Sequence, residues 1–260
     1  LSCARKLVDA KVDIEAVNRS GMSPLWTAVY KGHKEMVSLL VNAKAELENG
    51  MNDENTPLLK AVAEDHVDIV RILVDTKANV NACTHVRKCA LEIAALYCNS
   101  TDVVNILIDA KAHVDVRNQK NQTALMAAAL LGKSGIVQAL LNANAEVNAK
   151  TMNNDTALLY AALSGDVNTA SLLLSAKATV DAETNDKTTA LMRAACNTAA
   201  DLVEYMLLVV RDHFRESSAS DVDSETRACD VSPQKVSHNG VTKRGYDELT
   251  EDESKRTKTA

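Results

Sequence analysis

The chain has 260 residues, 46% of them hydrophobic but only 3% aromatic, and a formal net charge of -6. That acidic balance excludes a general nucleic-acid binder, which concentrates Lys and Arg against phosphate, and the scarcity of rings leaves Ala, Leu and Val to fill the interior. No apolar run reaches the roughly 18–20 residues that span a bilayer, so no membrane insertion is expected.

Residues 2–10 align with the second half of later segments, Leu7 matching Leu40 and Leu73. The chain therefore enters in mid-repeat, and residues preceding Leu1 are expected. From there a leucine returns as Leu25, Leu58, Leu91, Leu125, Leu158 and Leu191, in steps of 33, 33, 34, 33 and 33. A fixed period of this length marks a stacked array. It divides the chain into a half repeat 1–17, repeats 18–50, 51–83, 84–117, 118–150 and 151–183, and a terminal repeat 184–210.

In the 18–50 repeat, Ser23 is placed to cap a helix and Pro24 to occupy its first turn, where a missing N–H costs nothing. Leu25, Ala28 and Val29 give that helix an apolar face, Gly32-His33 ends it, and Met36, Val37, Leu39 and Leu40 have the spacing of a second helix. The segment from Ala43 to Glu48 then leaves the helix as an extended, hairpin-like finger. After each second helix stands Lys11, Lys44, Lys77, Lys111, Asn144 or Lys177, where the repeat family that this pattern resembles carries a Gly that usually takes positive φ. A non-Gly residue there costs on the order of 1 kcal/mol, which a Lys at a helix C-terminus offsets by about 0.3–1 kcal/mol.

The 84–117 repeat departs from this pattern. It reads Lys88-Cys89-Ala90-Leu91, without the capping hydroxyl or the proline, and its interhelix turn, Cys98-Asn99-Ser100-Thr101, holds the extra residue. It is expected to be the locally weakest repeat, and Cys89→Thr is expected to stabilise it by about 0.5–2 kcal/mol.

Ser23-Pro24-Leu25-Trp26-Thr27-Ala28, Gly32-His33 and Ala78-Asn79-Val80-Asn81-Ala82 resemble the signatures of the ankyrin repeat, over residues 1–210. The resemblance implies an all-α solenoid of stacked helix-turn-helix units with short β-hairpin-like fingers. It also implies a concave face, lined by fingers and first helices, on which protein partners dock. His33 and His66 fall on the family's structural histidine. From residue 211 to 260 the chain is rich in Ser, Thr and charge, with too few large apolar residues to offset ordering entropy, and a disordered tail is expected.

Chemistry has no constellation in this sequence: there is no Gly-rich phosphate loop, GxSxG or HExxH, so no enzyme activity, cofactor or metal is expected. Cys83, His85, Cys89 and Cys98 lack the tight pairing of zinc ligands. The six cysteines show no CxxC pair and no framework spacing. They are read as independent thiols of a reducing compartment, which places the chain inside the cell, in cytoplasm or nucleus.

The expected partner-binding residues are of two kinds. Tyr30, Leu96, Tyr97, Leu130, Leu131 and Leu163, at the ends of first helices, form an apolar patch. Glu48, Asp115 and Asp181, with Glu15, form an acidic row on the fingers, suited to a basic amphipathic segment of a protein partner. In the tail, Lys243-Arg244 and Lys255-Arg256-Thr257-Lys258 resemble a bipartite import signal. Ser232 before Pro233 and Thr250 before an acidic run have the look of phosphorylation sites. The function expected is a non-catalytic scaffold or adaptor. The alternatives are a regulatory segment of a larger channel, kinase or ubiquitin ligase, and a nuclear regulator resembling ankyrin-type inhibitors of transcription factors.

Overall fold

The computed structural model describes residues 5–6, 10, 12–50, 55–197 and 199–220, the side chains of 212–220 excepted. Among them are twelve α-helices in six pairs: α1 (Pro24–Tyr30) with α2 (Lys34–Asn42), α3 (Pro57–Ala63) with α4 (Val67–Asp75), α5 (Ala90–Tyr97) with α6 (Asp102–Asp109), α7 (Ala124–Leu130) with α8 (Ser134–Asn142), α9 (Ala157–Ser164) with α10 (Val167–Ser175), and α11 (Ala190–Cys196) with α12 (Ala200–Ser220). From α1 to α10, each first helix packs on its own second helix and on the first helix of the next pair.

Local sequence explains the starts. The hydroxyls of Ser23, Thr56, Thr123, Thr156 and Thr189 accept the N–H groups of Trp26, Leu59, Met126, Leu159 and Met192, at 3.1–3.5 Å, each satisfying an orphan donor of the first turn. Cys89, in the same place before α5, makes no such bond. After the second helices Lys44, Lys77, Lys111, Asn144 and Lys177 all take positive φ, between 61° and 72°, as their place in the repeat predicts. Gly32 is also left-handed, and a Cβ there would meet the His66 ring at 3.1 Å. A side chain there would be strained by the left-handed backbone and would have to displace the His66 ring, although the equivalent place in the next repeat holds Asp65 at φ 55°.

The interior is a stack of short aliphatic rows. Leu25, Leu58, Leu91, Leu125 and Leu158 are all buried, and at about 25 cal/mol per Å² such burial holds repeat to repeat. The neighbouring row runs Trp26, Leu59, Glu92, Met126, Leu159 and Met192. Its first five members are buried, whereas Met192 is 53% exposed, no further helix pair among the described residues covering it.

The fingers close as turns. Asn18 N–H donates to Met22 O, and the same four-residue closure joins Thr84 to Lys88, Asn118 to Gln122, Thr151 to Asp155 and Thr184 to Thr188. One isolated antiparallel bridge, Cys83 with Cys89, accompanies them among the described residues. Those two cysteines form a disulfide, which corrects the reading of independent thiols: the finger turn brings together residues that no CxxC spacing announces. The cysteine pattern thereby stops supporting a reducing compartment. At the other end, α12 runs on to Ser220, beyond residue 210 where the repeat pattern ends. Residues 221–260 lie outside the described residues, and with them Ser232, Lys243, Arg244, Thr250, Lys255, Arg256 and Lys258.

Candidate partner-binding face

The first-helix ends differ from repeat to repeat. Tyr97 and Leu131 occupy equivalent places in neighbouring repeats and are 38% and 46% exposed. The same place holds Lys31, Glu64, Ser164 and Asn197 in the other repeats. Leu96 and Leu130, one residue earlier, are half-buried and pack against the core, and Leu163 is also half-buried. Of the six apolar residues named from sequence, Tyr30, Tyr97 and Leu131 are thus exposed, while Leu96, Leu130 and Leu163 are half-buried. Tyr30 stacks on Trp26 at 5.5 Å, and the Lys60 ammonium lies 4.6 Å from its ring while reaching Glu64 at 2.6 Å. Trp26 is fixed in turn by its indole N–H on Asn55 O at 2.8 Å.

The acidic row has a structural task. Glu15 accepts the N–H of Glu46 at 2.9 Å, Glu48 that of Asn79 at 2.7 Å, Asn81 that of His113 at 2.8 Å, Asp115 that of Glu146 at 2.9 Å, and Asn148 that of Thr179 at 2.8 Å. Each finger thus accepts a backbone donor from the next, a ladder in which Glu, Asp and Asn are interchangeable because each offers an oxygen. Asp181 stands at its end, exposed, where the chain turns into α11 and α12.

Two groups not anticipated from sequence hold α5 in register beneath Tyr97. Lys133 Nζ donates to Leu96 O and Cys98 O, both at 2.8 Å, a cation on the carbonyl end of a helix. Burial lowers the pKa of this ammonium, against the pull of the Asp65 carboxylate. The Cys98 thiol, buried and donating to Val62 O at 3.3 Å, is pushed up to about 12, first by burial and then by Asp65, so it stays protonated and unreactive. Glu92 is the second group. It is buried in the otherwise apolar row, Asn118 Nδ2 donates to it at 2.7 Å, and burial raises its carboxyl to about 7 against the pull of Asn118 and Lys88. Asn118 Nδ2 also reaches Gln122, whose amide donates to Tyr160 Oη at 3.0 Å. Aligning the repeats exposes Glu92 as the one charged member of its row; Lys133 carried no comparable signal.

No group of His, Cys, Asp and Glu among the described residues is placed to hold a metal ion. A cavity of about 390 Å³ opens at the first pair, lined among others by Met22, Pro24, Thr27 and Met36. Met36 on its wall is half-buried where its equivalents Ile69, Val103 and Ile136 are buried.

The family described as ankyrin repeats (3 copies) matches residues 1–84, 83–151 and 135–214. No curated protein matches the chain.

Proposed function

Since the chain belongs to the ankyrin-repeat family, whose repeats are generally protein-interaction modules and typically non-catalytic, we propose that it is a binding scaffold or adaptor that captures a protein on the face carrying Tyr97 and Leu131. The observation that supports this reading is the pair itself: two large apolar side chains are exposed at equivalent places of adjacent repeats, where the remaining repeats carry charge or small polar groups. Exposed apolar anchors in register concentrate binding free energy, and both stand at the ends of helices whose preceding residues, Leu96 and Leu130, pack against the core.

A basic amphipathic partner draws less support. The finger carboxylates meant to attract it are oriented by the ladder toward the next finger, and they serve repeat stacking first. An intracellular setting goes with this reading, since repeats of this family are common in intracellular proteins, and no helix among the described residues is long and apolar enough to cross a membrane.

Tyr97→Glu with Leu131→Glu tests the proposal, because both side chains are exposed and neither change opens the core. Proximity labelling with the intact chain is expected to lose its specific set of proteins in the double variant while far-UV helicity is unchanged. An identical set of labelled proteins would overturn it.

A further inference from the structure

We propose that the partner segment docking on Tyr97 and Leu131 is acidic, with an apolar anchor, which rests on the reading of that pair as the docking face. Charge is distributed unevenly along the fingers. The turns 84–88 and 118–122 contain no Asp or Glu and present Arg87 and Lys120, both exposed, and Lys150 is exposed on the finger that follows. These turns are locked side by side: Gln119 Nε2 donates to His85 O at 3.2 Å, and Met152 N–H to Lys120 O at 3.4 Å. The backbone that carries Arg87 and Lys120 is thereby held from finger to finger.

Of the acids nearest in the fingers, two are in ion pairs and Asp115 keeps its charge while it serves the ladder. Asp115 accepts the Glu146 N–H at 2.9 Å, Glu146 is bound by Arg117 at 2.8 Å, and Asp155 is buried and paired with Arg193. On either side acids outnumber bases: Asp13, Glu46 and Glu48 stand beside Arg19 and Lys44 in the earlier fingers, and Asp181, Asp186 and a Lys187-paired Glu183 in the last. In a chain of net charge -6, the basic stretch of the described fingers coincides with the repeats that expose Tyr97 and Leu131. Such a field steers an acidic segment onto the apolar pair and repels a basic one.

The test selects short random peptides by display on the immobilised full chain, then measures a selected peptide in solution at low and high salt. Net-negative peptides carrying a Leu or aromatic residue are expected, with affinity falling about tenfold or more on Lys120→Glu with Lys150→Glu and falling with added salt. Net-positive or neutral peptides that lose binding on Leu131→Glu would overturn the charge inference alone. Acidic peptides indifferent to Leu131→Glu would overturn the docking face itself, and so would a selection that yields nothing. A single-stranded oligothymidine competing with the selected peptide would replace the acidic protein segment by nucleic acid and overturn the inference.

Discussion

In the 118–150 repeat the fastenings are the repeat's own: Thr123 caps α7 through the Met126 N–H, and Gly132, at φ 64°, turns the chain toward α8. In the 84–117 repeat, the helix start has Cys89 with no cap bond, and none of Cys98, Asn99, Ser100 and Thr101 is left-handed. The missing fastenings come from neighbours. Cys83, at the end of the preceding repeat, bonds covalently to Cys89, while Lys133 and Asn118 of the following repeat reach back to the α5 carbonyls and to Glu92. In the regular repeat these two fastenings are local, whereas in the irregular one they come from both neighbours, so there the effects of substitution reach outside the repeat that is changed.

Glu92 gives the largest expected break in that comparison. Its carboxyl is raised from 4.5 to about 7 in the folded chain, so folding binds a proton. That contribution is complete below about pH 4.5 and is lost as pH rises through about 7, which makes the wild type less stable across this window by up to roughly 3 kcal/mol. Glu92→Gln keeps an oxygen for Asn118 Nδ2 without the ionisation, and urea denaturation across the same window should show a flatter dependence. Equal slopes for wild type and variant would remove Glu92 from the comparison.

The disulfide comes next. It spans a separation of 6 residues, and closing so short a loop stabilises by about 2 kcal/mol in the chain-entropy picture. Cys89→Thr removes it while supplying the hydroxyl cap of about 0.5–2 kcal/mol, so the stabilisation expected from sequence alone is corrected. Against the oxidised wild type the change should be close to neutral, and against the dithiothreitol-reduced wild type it should stabilise. A variant that raises the melting temperature equally against both forms would show that the disulfide contributes nothing.

Lys133→Met is the smallest and most local. Losing two hydrogen bonds to helix carbonyls is partly offset by removing a half-buried charge, leaving a cost of about 1 kcal/mol. Hydrogen exchange should quicken in the last turn of α5 and not in α7. Protection lost equally in both helices would mean that the lysine holds the whole stack and not its neighbour alone.

What the sequence discloses here follows from the range of each interaction. The period, the hydroxyl caps, the Pro24 and Pro57 starts and the left-handed Lys44, Lys77 and Lys111 depend on residues a few positions apart, and each can be read along one repeat. Lys133 on Leu96 and Cys98, Asn118 on Glu92 and the finger ladder join residues one repeat or so apart, so they appear only once neighbouring repeats are set side by side. Glu48 and Asp115 illustrate the difference: as single residues they are an acidic edge, and in register they are acceptors for the next finger. Leu96 and Leu130 follow the same logic, since aligned apolarity does not distinguish these half-buried residues from the exposed Tyr97 and Leu131 that follow them.

The ladder also has a polarity. In each of its five bonds the side chain belongs to the earlier finger and the donated N–H to the later one. Trimming the array from its C-terminal side therefore leaves an oxygen facing water, and trimming from the N-terminal side leaves a bare amide, so the two ends are chemically distinct sockets. Asp181 is the acceptor already in position at the C-terminal one. A repeat grafted in place of α12 would find its first rung waiting, which makes the array extensible in one direction by chemistry already encoded in the finger that precedes the join.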